Sequence, residues 1–280
     1  MDTAYVNGAF VPLGEASVSI LDRGLLFADS VYEVVPVYAG KPFLLDAHLR
    51  RLDASLAGIR LKNPYAQGQW RALLGDLIAR NGAGDLAVYL QVTRGAGARR
   101  EHRAVQLGPA TVIAFCQVRS GPAPALLEQG AAAITRPDTR WARCDIKSTA
   151  LLANILLADD AHREDAEEAI LYRGENITEG SSSNVFAVCN GVVTTPPLGP
   201  TILAGITRAE VLRLARAHAI PCVEATLTRS ELAGASELWL TSSTRELLPV
   251  TRLDGAAVGD GRPGPQRARL QALLRPPSPA

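Results

Sequence analysis

Two Asn-Gly dipeptides set between short apolar runs, Asn7-Gly8 and Asn190-Gly191, constrain this chain more than any other feature. A two-residue loop joining antiparallel strands needs positive φ at both positions, which Asn and Gly supply at little cost. Hairpins are therefore expected at both places, the first flanked by Tyr5-Val6 and Ala9-Phe10-Val11, the second by residues 185–188 and 192–195. The run SVYEVVPVY (30–38) is β-branched and aromatic, and Pro36, which cannot donate to a ladder, implies an edge or a bulge there. Leu86, Val88, Leu90 and Val92 alternate as in a half-buried strand; ATVIAFCQV (110–118), residues 131–135, 169–172 and ELWLTSS from Glu237 read as further strands, and a glycine-bounded turn is expected after Tyr172.

Helices separate these groups. Asp46 is expected to cap one whose Leu49, Leu52, Leu56 and Ile59 form a single stripe against the core. A second follows Pro64, carries Trp70, Leu73, Leu74, Leu77 and Ile78, and stops at Asn81-Gly82. Leu151, Leu152, Ile155 and Leu156 predict a third, and residues 207–218 a fourth that opens on Thr207-Arg208-Ala209-Glu210 as a capping box. Strands in hairpin groups with few helices between them indicate α+β rather than a doubly wound parallel sheet. The linker-like Ser120-Gly121-Pro122-Ala123-Pro124 divides the chain into a smaller N-terminal α+β domain, 1–120, and a larger C-terminal domain, 121–280. The tail RPPSPA is expected to be disordered.

Bulk properties exclude several classes. Hydrophobic residues make up 47%, yet no apolar stretch approaches the roughly 20 residues that span a bilayer. Twenty-nine basic against 28 acidic residues, a formal charge of +1, leave no electrostatic footprint for nucleic acid. The N-terminus lacks a basic start and an apolar leader, so a cytoplasmic protein is expected. Cys116, Cys144, Cys189 and Cys222 are scattered with no C-x-x-C pair, which fits reduced thiols better than disulfides or a metal site. The glycines of 259–264 match G-x-G-x-x-G by letter, but too little chain follows for a βαβ unit, so a surface turn is expected. Ser181-Ser182-Ser183 lacks the flanking glycines of a serine-hydrolase elbow.

Two places suggest chemistry. The helix start behind Gly205 offers backbone N–H groups and the positive end of a dipole to an anion, although most capped helices bind nothing. Lys147 in CDIKS sits between a strand-like run and a helix rather than on a charged face. Apolar surroundings disfavour an ammonium and make the amine a nucleophile for an aldehyde. A lysine snorkelling from a helix start is the plainer alternative.

The segments YVNGAFVPL, DRGLLFADSVYEVVPVY, DAHLRRL, QVTRG, WARCDIKS, ITEGSSSNVF, LAGITR and LTSSTRELLPV follow one another along nearly the whole chain. In them the chain resembles the fold-type IV pyridoxal-phosphate enzymes, and most closely the D-amino-acid aminotransferases. The resemblance implies a homodimer with pyridoxal 5'-phosphate at the domain interface, held as an imine on Lys147, and Glu179 facing the pyridine nitrogen. Arg51 would bind the phosphate with Gly205, Ile206, Thr207, Ser242 and Ser243; Arg50 is the rival, and Arg51 is in register counted from His48 and Leu52. Leu203 would pack against the ring and Ser182 join the hydrogen bonds beneath it.

For the substrate carboxylate the family uses the tyrosine of V-Y-E, here Tyr32, and from the neighbouring subunit an arginine and a histidine two residues later, after T-R-G. Here AGARREHR follows Thr93-Arg94-Gly95: Arg99 falls in place, Glu101 stands where the histidine is expected, and His102 comes one residue late. A charged, solvated loop is the competing reading. Ala28-Asp29-Ser30 replaces the usual Gly-Asp-Gly before V-Y-E. The implied reaction moves an amino group between a D-amino acid and a 2-oxo acid. Branched-chain L-aminotransferase, (R)-amine transaminase, aminodeoxychorismate lyase and a non-catalytic pyridoxal-phosphate binder stay open as rivals.

Overall fold

The computed structural model describes residues 1–82, 84–104, 107–119 and 121–274. They form two compact units, Met1–Arg119 with Ile146–Leu151, and Ser120–Asp145 with Leu152–Ala280.

The first unit is built on a six-stranded, wholly antiparallel sheet in the order Ala9–Pro12, Thr3–Val6, Thr111–Val118, Leu86–Thr93, Ser30–Tyr38, Lys41–Pro42. Its first hairpin turns at Asn7 (φ 49°) and Gly8 (φ 101°). Helices Leu45–Gly58 and Gln67–Arg80 bury Leu49, Leu52, Leu56, Trp70, Leu74 and Leu77 in one core with Val31, Val35, Val88 and Val92. Asp46 does not cap the first of them. The chain enters through Leu44 at φ 51° with no side-chain cap, and Asp46 pairs instead with Arg71 at 2.8 Å.

Pro36 lies in the strand next to the edge, and the two-residue edge strand covers only Val37 and Tyr38. Farther up, unpaired backbone groups must find other partners. The Tyr32 N–H donates to the Lys147 carbonyl at 3.0 Å and the Thr149 N–H to the Ser30 carbonyl at 3.1 Å. Ile146 packs over Gly58, where a Cβ would come within 2.9 Å of its side chain. This docking groups Lys147 with the first unit, whereas the sequence assigned it to the larger C-terminal domain.

The second unit carries a nine-stranded mixed sheet: Cys222–Glu224, Val192–Thr195, Asn184–Cys189, Glu237–Ser242, Glu246–Leu253, Ala131–Pro137, Glu168–Arg173, Asn176–Gly180, with Ala256–Ala257 beside Glu246–Leu253. Three pairings are parallel and the rest antiparallel. Alternation along Asn184–Cys189 and Glu237–Ser242 sends Val185, Ala187, Leu238 and Leu240 into one core. Phe186 stacks on Trp239 (5.6 Å) on the opposite face, where Asn184 stands across from Thr241.

Three expectations need correction here. Helix Leu152–Arg163 buries Leu157 and Ala161 against Ile134, Ala169 and Leu171, leaving Leu152, Ile155 and Leu156 exposed at 71%, 61% and 57%. Spacing reveals a stripe but not which side of the helix the core lies on. Helix Ile206–Ala217 starts earlier than the capping-box reading: Gly205 is the N-cap, Thr207 lies buried inside, and Glu210 bonds Arg213. The turn expected after Tyr172 is a hairpin, and its second strand, Asn176–Gly180, carries Glu179. The tail RPPSPA lies outside the described residues. Among those described, no helix is long and apolar enough to cross a membrane and no metal-binding cluster occurs.

Candidate active site

Lys147 sits half-buried in an extended segment, its backbone N–H on Ser55 Oγ (3.3 Å) and its Nζ 4.2 Å from the centre of the Tyr32 ring. Tyr32 stacks in turn on Tyr89 at 5.6 Å. The next residue of the strand points the other way. Glu33 is fully buried and takes both edges of the Arg51 guanidinium, Nε on Oε1 and Nη2 on Oε2, each at 2.7 Å. His48 Nδ1 lies 2.7 Å from Oε2, and since a carboxylate only accepts, that nitrogen carries the proton. Burial raises the Glu33 carboxyl, but Arg51 and His48 outweigh it and hold it down at about 2. Arg50 is exposed, so of the two rivals only Arg51 is built into the interior. Sequence reasoning missed Glu33 and His48; the available signal was an acidic letter inside a β-branched run.

The loop after Thr93-Arg94-Gly95 is pinned from below. Buried Arg23 donates to the carbonyls of Glu101 (2.6 Å) and His102 (2.9 Å), and its Nε shares the Asp29 carboxylate with Arg94 at 2.8 and 2.9 Å. Burial raises the Asp29 carboxyl, but Arg94 and Arg23 together hold it below its usual range. Arg99 is 80% exposed and bonds Glu101 at 3.0 Å. Arg100 lies over the Phe27 ring at 4.9 Å, and the His102 ring is 5.4 Å from the same phenyl.

In the second unit Glu179 is 4% exposed and accepts three bonds: from Arg140 Nη1 at 2.6 Å, from Asn184 Nδ2 at 3.0 Å and from the Leu203 N–H at 2.9 Å. Burial pushes its carboxyl up to about 7 against the pull of Arg140. Ser182 bonds the buried Glu168 through its N–H (2.9 Å) and Oγ (3.0 Å), beside the Ser181 hydroxyl and Arg245 Nη1. Ser242 Oγ accepts from the Arg245 N–H at 3.2 Å, and half-buried Ser243 follows in the turn. Arg140, Asn184 and Glu168 were absent from the sequence reading; Arg140 and Asn184 lie within or beside its motifs.

The helix Ile206–Ala217 receives no side-chain cap at Gly205, and the Thr241 and Ser183 hydroxyls are buried without a partner among the described residues. Uncapped N–H groups at a helix start are donors suited to a phosphate. A Cβ on Gly205 would overlap Asn184 Oδ1. Gly205→Ala should therefore cost about 1–3 kcal/mol in urea unfolding, as overpacking does, by pushing Asn184 off Glu179. Gly68, exposed and facing open space on helix Gln67–Arg80, is the control. Equal responses at the two glycines would refute the close approach.

The sequence pattern of the Amino-transferase class IV family matches residues 30–253. The chain belongs to the class IV aminotransferases. It is 43% identical over 266 residues to the D-alanine aminotransferase of Listeria monocytogenes serotype 4b (strain F2365), covering 95% of this chain and 92% of that one. The D-alanine aminotransferase of Bacillus licheniformis is 39% identical, with 96% and 94% covered. Among solved structures, the Escherichia coli branched-chain amino acid aminotransferase superposes with a TM-score of 0.89 at 27% identity, covering 96% of this chain and 92% of that one. The T.th. branched-chain amino acid aminotransferase, solved with pyridoxamine 5'-phosphate, gives 0.89 at 27% over 97% and 92%. Class IV aminotransferases are pyridoxal-phosphate enzymes, and the α+β, fold-type IV reading of the sequence stands.

Proposed function

We propose that the chain is a pyridoxal-5'-phosphate-dependent aminotransferase acting between a D-amino acid and a 2-oxo acid, with Lys147 as its cofactor-bearing residue. The observation that carries the D-specific reading is 43% identity to a D-alanine aminotransferase over 95% of the chain, against 26–28% to the branched-chain enzymes.

Arg51, the Gly205–Ile206–Thr207 helix start, Ser242 and Ser243 would hold the phosphate, Leu203 would pack on the ring, and Ser182 would support the bonds beneath it. Glu179 would face the ring nitrogen. When bound, the cofactor supplies an aldehyde that condenses with amines and a pyridinium ring that draws in the electron pair left by a departing α-proton. Lys147 Nζ, once a substrate amine displaces it from the aldehyde, would be the free amine that takes that proton and returns it across the transferred nitrogen. Tyr32 presents a hydroxyl to the substrate carboxylate.

The arginine that completes this carboxylate pocket is better assigned to Arg100 than to Arg99. Arg100 and His102 keep the family's arginine-x-histidine spacing if the loop is one residue longer, and both pack on Phe27, while Arg99 is engaged with Glu101. Truncating a partly desolvated guanidinium–carboxylate contact costs about 2–4 kcal/mol, roughly 30- to 1000-fold in rate. Arg100→Ala should lower kcat/KM for D-alanine in that range and spare (R)-1-phenylethylamine, with Arg99→Ala costing less than about 5-fold, the worth of an exposed pair. The opposite ranking returns the role to Arg99.

A homodimer accounts for the exposed Leu152, Ile155 and Leu156, an apolar stripe of the kind that marks an interface. Light scattering should give twice the chain mass, and Leu156→Glu should halve it. The four free cysteines suit a reducing cytoplasm.

The deciding experiment is a spectral titration of the holoenzyme with D-alanine and L-leucine separately. D-alanine should convert the imine band to the pyridoxamine form; conversion by L-leucine alone would replace the D-specific reading with the branched-chain one. Release of pyruvate from aminodeoxychorismate without an added oxo acid would identify a lyase.

A further inference from the structure

Arg140 has no assigned part in binding cofactor or substrate, yet all three of its guanidinium nitrogens bond carboxylates. Its Nε and Nη2 fork onto Asp138 Oδ1 and Oδ2 at 2.9 and 3.0 Å, and its backbone N–H bonds the same carboxylate at 3.1 Å. Such a bidentate pair fixes the plane of the guanidinium. The remaining nitrogen, Nη1, is thereby aimed at Glu179 Oε1, 2.6 Å away. Asp138 is completely buried and also holds Arg173 Nε (3.1 Å) and the Thr178 hydroxyl (3.2 Å), while Arg173 Nη2 clamps the carbonyls of Arg140 and Trp141. The result is a row of alternating charges, Arg173, Asp138, Arg140, Glu179, that ends on the carboxylate.

We infer that Arg140 is a positioning residue that keeps Glu179 ionised and aimed, so that the proton shared with the cofactor's ring nitrogen stays on the nitrogen. The inference rests on the proposed reading in which Glu179 faces that nitrogen. Of the three donors to Glu179, Asn184 and the Leu203 N–H are neutral; Arg140 alone brings a charge to a site where burial favours the protonated acid. Arg140 Nη1 is in direct contact with the Glu179 carboxylate at 2.6 Å, with no atom between the two charges. It therefore stabilises the anion more than it repels a pyridinium, and removing it moves the proton from the ring to Glu179. Cys144, Asp138 and Arg173 are the other titratable groups facing this network, and Asp138 opposes Arg140.

The test uses holoenzyme loaded with ring-15N pyridoxal phosphate, whose nitrogen shift reports ring protonation directly, in wild type, Arg140→Gln, Arg140→Lys and Glu179→Gln. An opposite charge at this range moves a carboxyl by about 1–3 pKa units, so Arg140→Gln should show a neutral ring nitrogen at pH 7.5. Its kcat should fall about 100-fold, the middle of that range, with KM for the amino acid within about 3-fold. Lysine keeps the charge but cannot fork Asp138 and reach Glu179 together, so Arg140→Lys should lose the ring proton at a pH between the other two. A purely structural ion pair would change stability and leave the nitrogen signal alone; a protonated ring in Arg140→Gln overturns the inference while leaving the role of Glu179 intact. An unchanged signal in Glu179→Gln instead removes the reading on which it rests. Should Arg140→Gln fail to fold, Arg140→Lys decides: a midpoint below wild type supports the role, and an unshifted one overturns it.

Discussion

Replacing Lys147 with alanine should abolish the imine absorbance of the holoenzyme and lower transamination by orders of magnitude, because the tether and the proton carrier are lost in one step. The sequence makes this test unusually clean. Of 29 basic residues only Lys41, Lys62 and Lys147 are lysines, and the first two are exposed. No buried amine can substitute. Borohydride reduction of the wild-type holoenzyme should therefore place the cofactor on the peptide containing Lys147, with none on Lys41 or Lys62. Added methylamine should restore part of the lost rate in Lys147→Ala, since a free amine can enter the space the side chain leaves. Near-normal turnover without it, or a reduced adduct on another lysine, would end the assignment.

The second large effect is expected at the pair beneath Tyr32. Arg51→Met would leave Glu33 buried with only a neutral imidazole beside it, and breaking a buried ion pair from one side costs about 3–5 kcal/mol. Urea unfolding of the apoprotein reads this without reference to the cofactor, and phosphate affinity reads the proposed second role of Arg51. The pair also has a pH signature. Glu33 is held at about 2 against an ordinary 4.5, so between these values the unfolded chain binds a proton that the folded chain refuses. The stability this confers is complete above pH 4.5 and is lost as pH falls toward 2, about 3 kcal/mol in all from a shift of this size. His48 works in the same direction, since burial lowers its pKa from 6.5 in spite of Glu33, and acid must charge it inside the core. Glu33→Gln should be less stable at neutral pH but flatter on the acid side; parallel acid limbs for the two proteins would show that Glu33 is not held down.

How much of this was legible follows the range of the interactions. The Asn7-Gly8 hairpin and the stripes of Leu49 and Trp70 were readable because a few adjacent residues decide them. Strand Asn176–Gly180 was not: NITEG has little strand character by itself, and its place comes from pairing with Glu168–Arg173 through Gly174 at φ 59°. The stripe of Leu152, Ile155 and Leu156 was visible, but its outward direction was set by where Ile134 and Leu171 lie. Thr207 followed by Glu210 has the letters of a capping box, yet the chain's approach under Asn184 moved the helix start to Gly205.

Among the proposed site residues, Lys147, Glu179, Arg51 and Tyr32 stood out through long motifs, whereas a count from T-R-G reached Arg99 and cannot see the extra loop residue that the role proposed for Arg100 requires. By itself, the sequence determined the hairpin-rich α+β character and the apolar stripes of the Leu49 and Trp70 helices, and it singled out Lys147 as the proposed cofactor-bearing residue, since these depend on local geometry and residue chemistry. Only the tertiary structure decided that Glu33 meets Arg51 across 18 residues and Arg140 meets Glu179 across 39. The reason is desolvation: a charge has its energy set by what the fold removes from around it and by which opposite charge the fold brings back, and neither is written beside it in the chain.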